Sequence, residues 1–248
     1  MATWIAHLRL TENLLRMIDG LDAASFAIGN IAPDSGIPDE KWENFTPPKE
    51  VSHFIVPTDD DPWRIVDLEF YRRYLAPMSW PGDDAGRFSF FLGYFFHLVT
   101  DNLWNQQIAR PIVTRFEAEF EADPTFIWEV KRDWYGLDFV YLHEHPESLF
   151  WRVFLDCTYE EDYDLDLMPA EGLRRQIDYI QTYYQRQDQM AKALHERPDV
   201  YLSQPEMDRF VEGATQRLHR VYQLIWEEEV STSEHFSALE LPLLEVSR

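Results

Sequence analysis

Hydrophobic residues recur at helical spacing along most of the chain, and strand-like alternation is rare. The first predicted helix is amphipathic, with apolar residues on one face at Trp4, Leu8, Leu15 and Ile18. The same pattern predicts further helices over residues 21–29, 62–75, 108–121, 125–143, 147–156, 170–196 and 204–228. The pattern therefore predicts an all-α fold class.

The most hydrophobic stretch, from Phe88 to Asn105, is apolar on every face of the helix that it predicts. A helix of that kind belongs in the interior of a fold. Neither an internal repeat nor a linker is visible. We therefore expect a single-domain multi-helix bundle around this buried central helix, completed by a C-terminal helical part over about residues 108–230.

Two segments interrupt the helical pattern. Residues 30–62 are rich in proline and predict a long loop with little regular structure. A loop of that length is uncommon in a compact domain and is often functional. The acidic run from Glu160 to Asp166 predicts a second, solvated loop.

The composition is strongly acidic: 45 Asp and Glu against 22 Lys and Arg give the 248-residue chain a formal net charge of −23. With 9 Trp, 12 Tyr and 17 Phe, the chain is too aromatic for an acidic disordered segment. The charge disfavours a nucleic-acid coat protein, since phosphate backbones attract basic surfaces. A single cysteine, Cys157, excludes an intramolecular disulfide and an all-cysteine zinc site, so histidines and carboxylates must hold any metal.

No run of about 18 apolar residues predicts a membrane span. The first twenty residues carry charged side chains throughout, whereas a secretory signal has an uninterrupted apolar centre. We therefore expect a cytoplasmic protein without a signal peptide or a membrane span.

The central helix carries His97 and Asp101, four residues apart and therefore on one face. A buried carboxylate is costly unless it is paired or bound to a cation. Two interpretations remain open. Either His97 and Asp101 form a hydrogen-bonded pair inside the core, or both bind a metal ion.

Three further residues extend this pair. His7 lies on the first predicted helix, Asp34 in a Pro-Asp-Ser turn, and His53 in a short apolar run inside the proline-rich segment. Taken singly, each has an ordinary structural role, as a packed histidine or as a turn-stabilising aspartate. Together with the pair on the central helix, they supply enough ligands for one metal site, or for two metals bridged by a carboxylate.

The chain carries its candidate ligands in the order His…Asp…His…His-x-x-x-Asp, together with an early Trp and the segment Gly-Asn-Ile-Ala-Pro-Asp-Ser at residues 29–35. This pattern resembles the bacterial zinc-dependent phospholipase C family. Its superfamily also includes fungal single-strand nucleases. The similarity covers about residues 1–107. The resemblance implies an all-helical fold in which clustered zinc ions cleave phosphodiester bonds.

By this resemblance, Asp34, His53, His97 and Asp101 match the ligands of one zinc ion. Asp101 would bridge to a second metal, whose other ligand would be His7. Trp4 is internal, whereas secreted members of the family bind zinc through the amino group and carbonyl of an N-terminal Trp.

The resemblance implies a cluster of three zinc ions, and the third of them has no clear set of ligands in this sequence. Gln107 stands near the position of one of its histidines, and glutamine is a poor zinc ligand. His143 and Glu147 have the family's His-x-x-x-Glu spacing but come much later and flank a proline; Asp133 and Asp138 are alternatives. We therefore expect one or two zinc ions rather than three.

The sequence thus predicts a zinc-dependent phosphoester hydrolase similar to phospholipase C, in which Asp34 both binds metal and orients the attacking water. Its substrate would be a phospholipid or a small soluble phosphoester, either a phosphodiester or a phosphomonoester. The alternative is a non-catalytic metal-binding or interaction scaffold of the same fold. A single-metal hydrolase of the His-Asp helical type is disfavoured, because the adjacent His-Asp pair is absent.

No phosphate-binding cation is identifiable from the sequence, although four arginines are near the site residues in sequence: Arg64, Arg72, Arg73 and Arg87. Five aromatic residues are candidates either for a pocket wall or for the core: Trp42, Phe54, Trp63, Trp80 and Trp104.

Overall fold

The computed structural model describes residues 1–40, 44–80, 82, 84–123, 125–160, 163, 165–197 and 199–242. Its helices are α1 (Trp4–Leu14), α2 (Ala23–Gly29), α3 (Lys49–Ser52), α4 (Asp67–Phe70), α5 (Ala85–Trp104), α6 (Arg110–Arg115), α7 (Glu117–Ala122), α8 (Ile127–Glu144), α9 (Leu149–Arg152), α10 (Ala170–Tyr184), α11 (Gln187–Glu196) and α12 (Gln204–Tyr222). The fold class is therefore all-α, as predicted.

Shorter elements join these helices. Within the described residues, 3-10 segments lie at Ala32–Asp34, Phe154–Asp156 and Ala238–Glu240. Segments of π-helix continue α4, α5 and α12 over Tyr71–Leu75, Asn105–Ala109 and Gln223–Glu227. Two short strands, β1 (Ile37–Pro38) and β2 (Phe45–Thr46), pair antiparallel, with Ile37 opposite Thr46.

The central helix α5 is buried at every position from Phe88 to Trp104. It begins at Ala85, where the side chain of Asp84 accepts hydrogen bonds from the amides of Gly86 and Arg87. The bundle around a buried central helix is thus confirmed. None of the helices among the described residues combines the length and the apolar character that crossing a membrane requires.

Two glycines let α2 and α5 pack backbone against backbone. A Cβ atom on Gly29 would lie 2.0 Å from the carbonyl oxygen of Phe90, and one on Gly93 would lie 2.4 Å from that of Phe26. Neither space admits a side chain. The close approach places the end of α2, and Asn30 directly after it, against the turn of α5 that carries His97.

Several predicted element boundaries are wrong. The helix predicted over residues 62–75 begins only at Asp67, because residues 64–66 hydrogen-bond to the backbone of residues 54–56 instead. The predicted helix 170–196 is two helices, since Arg186 is extended, and the predicted helix 108–121 breaks at Phe116. Apolar periodicity continues across both breaks, because the helices on either side face the same core.

The two predicted loops also contain more structure than expected. Residues 30–62 include a 3-10 segment, the paired strands and α3. In the acidic run, Tyr163 and Leu165 are buried in the hydrophobic core, so that segment is not simply solvated. The acidic residues 161, 162 and 164 lie outside the described part of the chain, as does Trp42.

Candidate metal centre

Four segments of the chain bring the five predicted site residues together. His7 lies on α1, Asp34 ends the 3-10 segment Ala32–Asp34, and His53 directly follows α3. His97 and Asp101 lie one turn apart on α5. All but Asp34 are buried, and the Asp34 side chain is only 9% exposed.

Asp101 lies between the histidines. Its Oδ1 is 3.5 Å from His7 Nε2, and its Oδ2 is 3.4 Å from His97 Nε2 and 3.8 Å from His53 Nε2. His53 Nε2 is also 3.3 Å from Asp34 Oδ1 and 3.4 Å from His97 Nε2. Most of these distances exceed a good hydrogen bond. Four of the five, at 3.3 to 3.5 Å, match the spacing of about 3.3 Å between donors that each lie 2.0 to 2.1 Å from a tetrahedral zinc ion.

Several donor atoms in this cluster have no hydrogen-bond partner among the described residues. They are His7 Nδ1, His7 Nε2 and Asp101 Oδ2, and each is buried. Unpartnered buried polar atoms are rare and costly, and a bound cation removes that cost. Two overlapping ligand groups result, each with its donor atoms within 4.8 Å of one another: His7, His97 and Asp101, and Asp34, His53 and His97. The donors therefore fit zinc, as one ion or as two.

The second ring nitrogens orient two of the histidines. His97 Nδ1 is 2.7 Å from the carbonyl oxygen of Asn30, which only accepts, so Nδ1 carries the hydrogen and Nε2 faces the cluster. His53 Nδ1 lies 2.9 Å from Ser52 Oγ. The carbonyl of Ser52 accepts a hydrogen bond of 2.6 Å from the Tyr94 hydroxyl, which ties α3 to α5.

The start of α1 supports both carboxylates. The indole Nε1 of Trp4 donates to Asp34 Oδ2 at 3.0 Å, and the amide of Ala2 donates to Asp101 Oδ1 at 2.8 Å. Each contact leaves the other carboxylate oxygen turned toward a histidine. Trp4 is therefore a hydrogen-bond donor to a site carboxylate.

The protonation states of His7, His53 and Asp34 favour metal binding. Burial, reinforced by His97, lowers the pKa of His7 to about 4, and burial also lowers the pKa of His53. Although burial opposes ionisation of Asp34, the hydrogen bond with His53 and the charge of His97 hold its pKa below the ordinary value. Neutral imidazoles and ionised carboxylates are the forms that bind metals.

Asp101 and His97 form the coupled pair of the cluster. Burial opposes ionisation of Asp101, but the amino group of Met1 and His97 hold its pKa well below the usual range. Burial likewise opposes protonation of His97, yet Asp101 raises the His97 pKa. Because a cation at this position would replace the proton that Asp101 draws to His97, zinc binding and His97 protonation compete.

A cavity of about 870 Å³ adjoins the cluster, and Asp34 is the site residue that lines it. Trp4 forms an aromatic wall with Tyr135, Tyr179 and Tyr183, whose ring centroids lie 5.7, 5.8 and 6.2 Å from its own. Cations also line the cavity: Lys49, Lys131, Arg132 and Arg175. Sequence reasoning missed these cations. Its one signal was Lys49, four residues before His53 in the segment expected to be functional.

The candidates for a third zinc site have other partners. Asp133 accepts hydrogen bonds from Arg197 and from the amides of residues 199–202. Asp138 accepts from the hydroxyls of Thr3 and Tyr184. His143 and Glu147 are exposed, and Glu147 pairs with His145. Gln107 lines a separate cavity of about 290 Å³ beside α6 and α12.

The remaining candidates among the described residues lie outside the lining of the large cavity. Trp104 and Trp80 pack on core aromatic rings, Phe54 packs on Phe70, and Trp63 is exposed. The four arginines named from the sequence line neither this cavity nor the smaller one.

Comparisons of the chain with protein-family models, with curated proteins and with solved structures find no match. The chemistry of the site therefore follows from its own donors and its own cavity. Buried nitrogen and carboxylate donors suit zinc, and an adjoining cavity with cations and aromatic rings suits an organic anion.

Proposed function

We propose that this chain is a zinc-dependent phosphoester hydrolase. One observation carries the proposal: five histidine and aspartate donors, spaced as zinc ligands and partly without hydrogen-bond partners, adjoin a cavity lined by cations. The resemblance of residues 1–107 to the zinc-dependent phospholipase C family supports the same reaction. Phosphate esters, lipid or soluble, are the substrate class.

His53, His97, Asp34 and Asp101 would hold one zinc ion, and His7 with Asp101 would hold a second. Zinc supplies hydroxide at neutral pH and offsets negative charge on the phosphoryl oxygens. Asp34 is the donor that reaches the cavity, and Trp4 holds one of its oxygens. In this proposal its carboxylate would accept a hydrogen bond from the attacking water and orient it.

The first test measures zinc content and hydrolysis together. Zinc per chain is determined by elemental analysis for the wild type, for His97→Ala and for a control, His195→Ala, which changes an exposed histidine of α11. Hydrolysis of p-nitrophenyl phosphate and bis(p-nitrophenyl) phosphate is measured with and without a chelator. We expect at least one zinc per chain in the wild type and control, less in His97→Ala, and hydrolysis that the chelator abolishes.

Unchanged zinc in a folded His97→Ala protein would reject this site. Because His97 is buried, circular dichroism must first show that the variant folds. If it does not fold, Asp34→Asn replaces it, since Asp34 lies at the cavity wall and Asn has the same size. A zinc-loaded wild type that hydrolyses neither of these esters nor phospholipid vesicles would reject the hydrolase.

A non-catalytic metal-binding scaffold is the second candidate, and the burial of four of the five donors favours it. A structural zinc site has no open position for water. On that alternative, chelation lowers the melting temperature strongly while neither ester is ever hydrolysed. Hydrolysis that depends on zinc excludes it.

A further inference from the structure

Lys49 and Lys131 reach the same cavity from two distant parts of the chain. Lys49 begins α3, four residues before the ligand candidate His53, and Lys131 lies in the second turn of α8. Both side chains are half-buried, and both line the cavity that Asp34 also lines. Two ammonium groups therefore lie on the walls of a space that opens beside the proposed metal centre.

Neither ammonium group has a carboxylate partner among the described residues. Lys49 Nζ lies 5.9 Å from the centre of the Phe45 ring and 3.7 Å from the sulfur of Met1. Lys131 Nζ lies 4.9 Å from the centre of the ring of Trp128, which is 65% exposed and also lines the cavity. In contrast, the cavity residue Arg132 pairs with Glu129 at 2.7 Å.

The lack of partners is unusual in so acidic a chain. Acidic residues outnumber basic ones by 45 to 22, yet no described carboxylate oxygen lies within 4.0 Å of either ammonium, although Asp178 also lines the cavity. Burial, followed by the charge of Lys49, lowers the pKa of Lys131. Two like charges in one partly desolvated space lower their energy by binding an anion between them.

Charge balance indicates which anion fits. One zinc ion already balances the two carboxylates, Asp34 and Asp101, and a second would exceed them, so Lys49 and Lys131 add two further positive charges to the cavity wall. A phosphomonoester carries close to two negative charges at neutral pH, because its second pKa is about 6, whereas a phosphodiester carries one. The aromatic wall of Trp4, Tyr135 and Tyr183 suits an apolar or aromatic alcohol.

We propose that Lys49 and Lys131 bind the dianionic phosphoryl group, so that the site prefers phosphomonoesters of apolar or aromatic alcohols to phosphodiesters. This inference rests on the proposed hydrolase. In the reaction, a water oxygen forms a bond to phosphorus and the ester P–O bond breaks. One water proton passes to the leaving alcohol oxygen and the other is released or kept by inorganic phosphate. No electron transfer is involved.

Binding of inorganic phosphate tests the lysines independently of turnover. Isothermal titration calorimetry is done on zinc-loaded wild type, Lys49→Ala, Lys131→Ala and the double variant. Lys192→Ala is the matched control, because Lys192 is exposed on α11 and does not line the cavity. We expect each single variant to bind phosphate about tenfold more weakly, which is the size of one charge-assisted contact, and the control to bind as the wild type does.

Substrate selectivity is the second readout. We expect the ratio of kcat/KM for p-nitrophenyl phosphate to that for bis(p-nitrophenyl) phosphate to fall about tenfold in Lys131→Ala and to stay unchanged in Lys192→Ala. Unchanged phosphate affinity, or equal losses on both esters, would overturn the lysine assignment while zinc-dependent hydrolysis, and with it the proposed function, survives. Absence of hydrolysis in zinc-loaded wild type would overturn the function and the substrate assignment together.

Discussion

Individual histidines of the candidate metal centre are held in different ways. His97 and His53 are oriented by partners at Nδ1, the carbonyl of Asn30 and the hydroxyl of Ser52. His7 has no such partner among the described residues. Its ring instead stacks on the ring of His97, with the ring centroids 3.9 Å apart and an angle of 4° between the ring planes. Ring stacking fixes the plane of an imidazole but not its tautomer, so His7 can present an unprotonated Nε2 to a metal beside Asp101.

Trp4 offers a test of how far the surrounding hydrogen bonds matter. The change Trp4→Phe removes the indole donor to Asp34 Oδ2 while keeping an aromatic ring in the wall. Losing such an outer contact costs about 10- to 100-fold in metal affinity or activity. We expect zinc affinity, measured by competition with a chromophoric chelator, to fall within that range.

The control for this prediction is Trp63→Phe, since Trp63 is exposed and lies away from the cavity. Its zinc affinity should equal that of the wild type. If Trp4→Phe also binds zinc as tightly as the wild type, the indole contact does not support Asp34.

At the scale of elements, the contact between α2 and α5 determines the geometry of the site. Gly29 and Gly93 allow the two backbones to touch, and the residue that follows α2, Asn30, then reaches His97. The helices themselves follow from local hydrophobic periodicity, which is why most of them were predictable from the sequence. The breaks near Phe116 and Arg186 were not, because apolar residues on both sides of each break face one core.

The change Gly93→Ala should destabilise the protein. Its added Cβ would lie 2.4 Å from the carbonyl oxygen of Phe26, so backbone must move, and overpacking of this kind typically costs about 1–3 kcal/mol. We expect a lower free energy of unfolding in urea. We also expect weaker zinc binding, because a shift of α2 moves the carbonyl of Asn30 away from His97.

Gly213→Ala is the matched control. Gly213 lies on the exposed face of α12, and nothing lies within 4 Å of the position that its Cβ would take. An exposed Gly-to-Ala change inside a helix stabilises by up to about 1 kcal/mol. Equal effects of the two alanines on unfolding would contradict the close-packing argument.

Across the whole molecule, residues distant in sequence meet at a few buried polar groups. Asp138 of α8 accepts hydrogen bonds from Thr3, which caps α1, and from Tyr184, which ends α10. Burial raises the pKa of Asp138 from 3.8 to about 7. The folded chain therefore holds a proton that the unfolded chain releases between these two pH values.

A pH dependence of stability follows from Asp138. Because the folded state binds the extra proton, its contribution to the free energy of unfolding falls as pH rises from about 4 to about 7, by at most about 1.4 kcal/mol per pH unit. Asp138→Asn cannot ionise. Urea unfolding at pH 5, 6, 7 and 8 should show the wild type losing stability relative to this variant as pH rises to about 7, and a constant difference would refute the assignment.

The site shows the limit of sequence reasoning at this scale. His97 and Asp101 were predictable as neighbours because residues four apart in a helix lie on the same face, one turn from each other. The order of the other donors follows a recognisable pattern. Lys49 and Lys131 are 82 positions apart, in a proline-rich segment and in an ordinary helix, and no local rule joins them. Only the tertiary fold, which brings residues of α3, α8 and α10 to the walls of one cavity, joins them.

The chain has a strongly negative net charge but a cavity lined by lysines, and this contrast affects the rate at which an anion reaches the cavity. An anion that approaches a chain of net charge −23 is repelled before it meets the ammonium groups of Lys49 and Lys131. Salt screens charges farther apart than about 10 Å at 0.1 M, while contacts inside the cavity are screened much less. Adding salt should therefore quicken the arrival of an anion, the reverse of the slowing usual for oppositely charged partners. The ionic content of the medium would then set how fast this cavity fills.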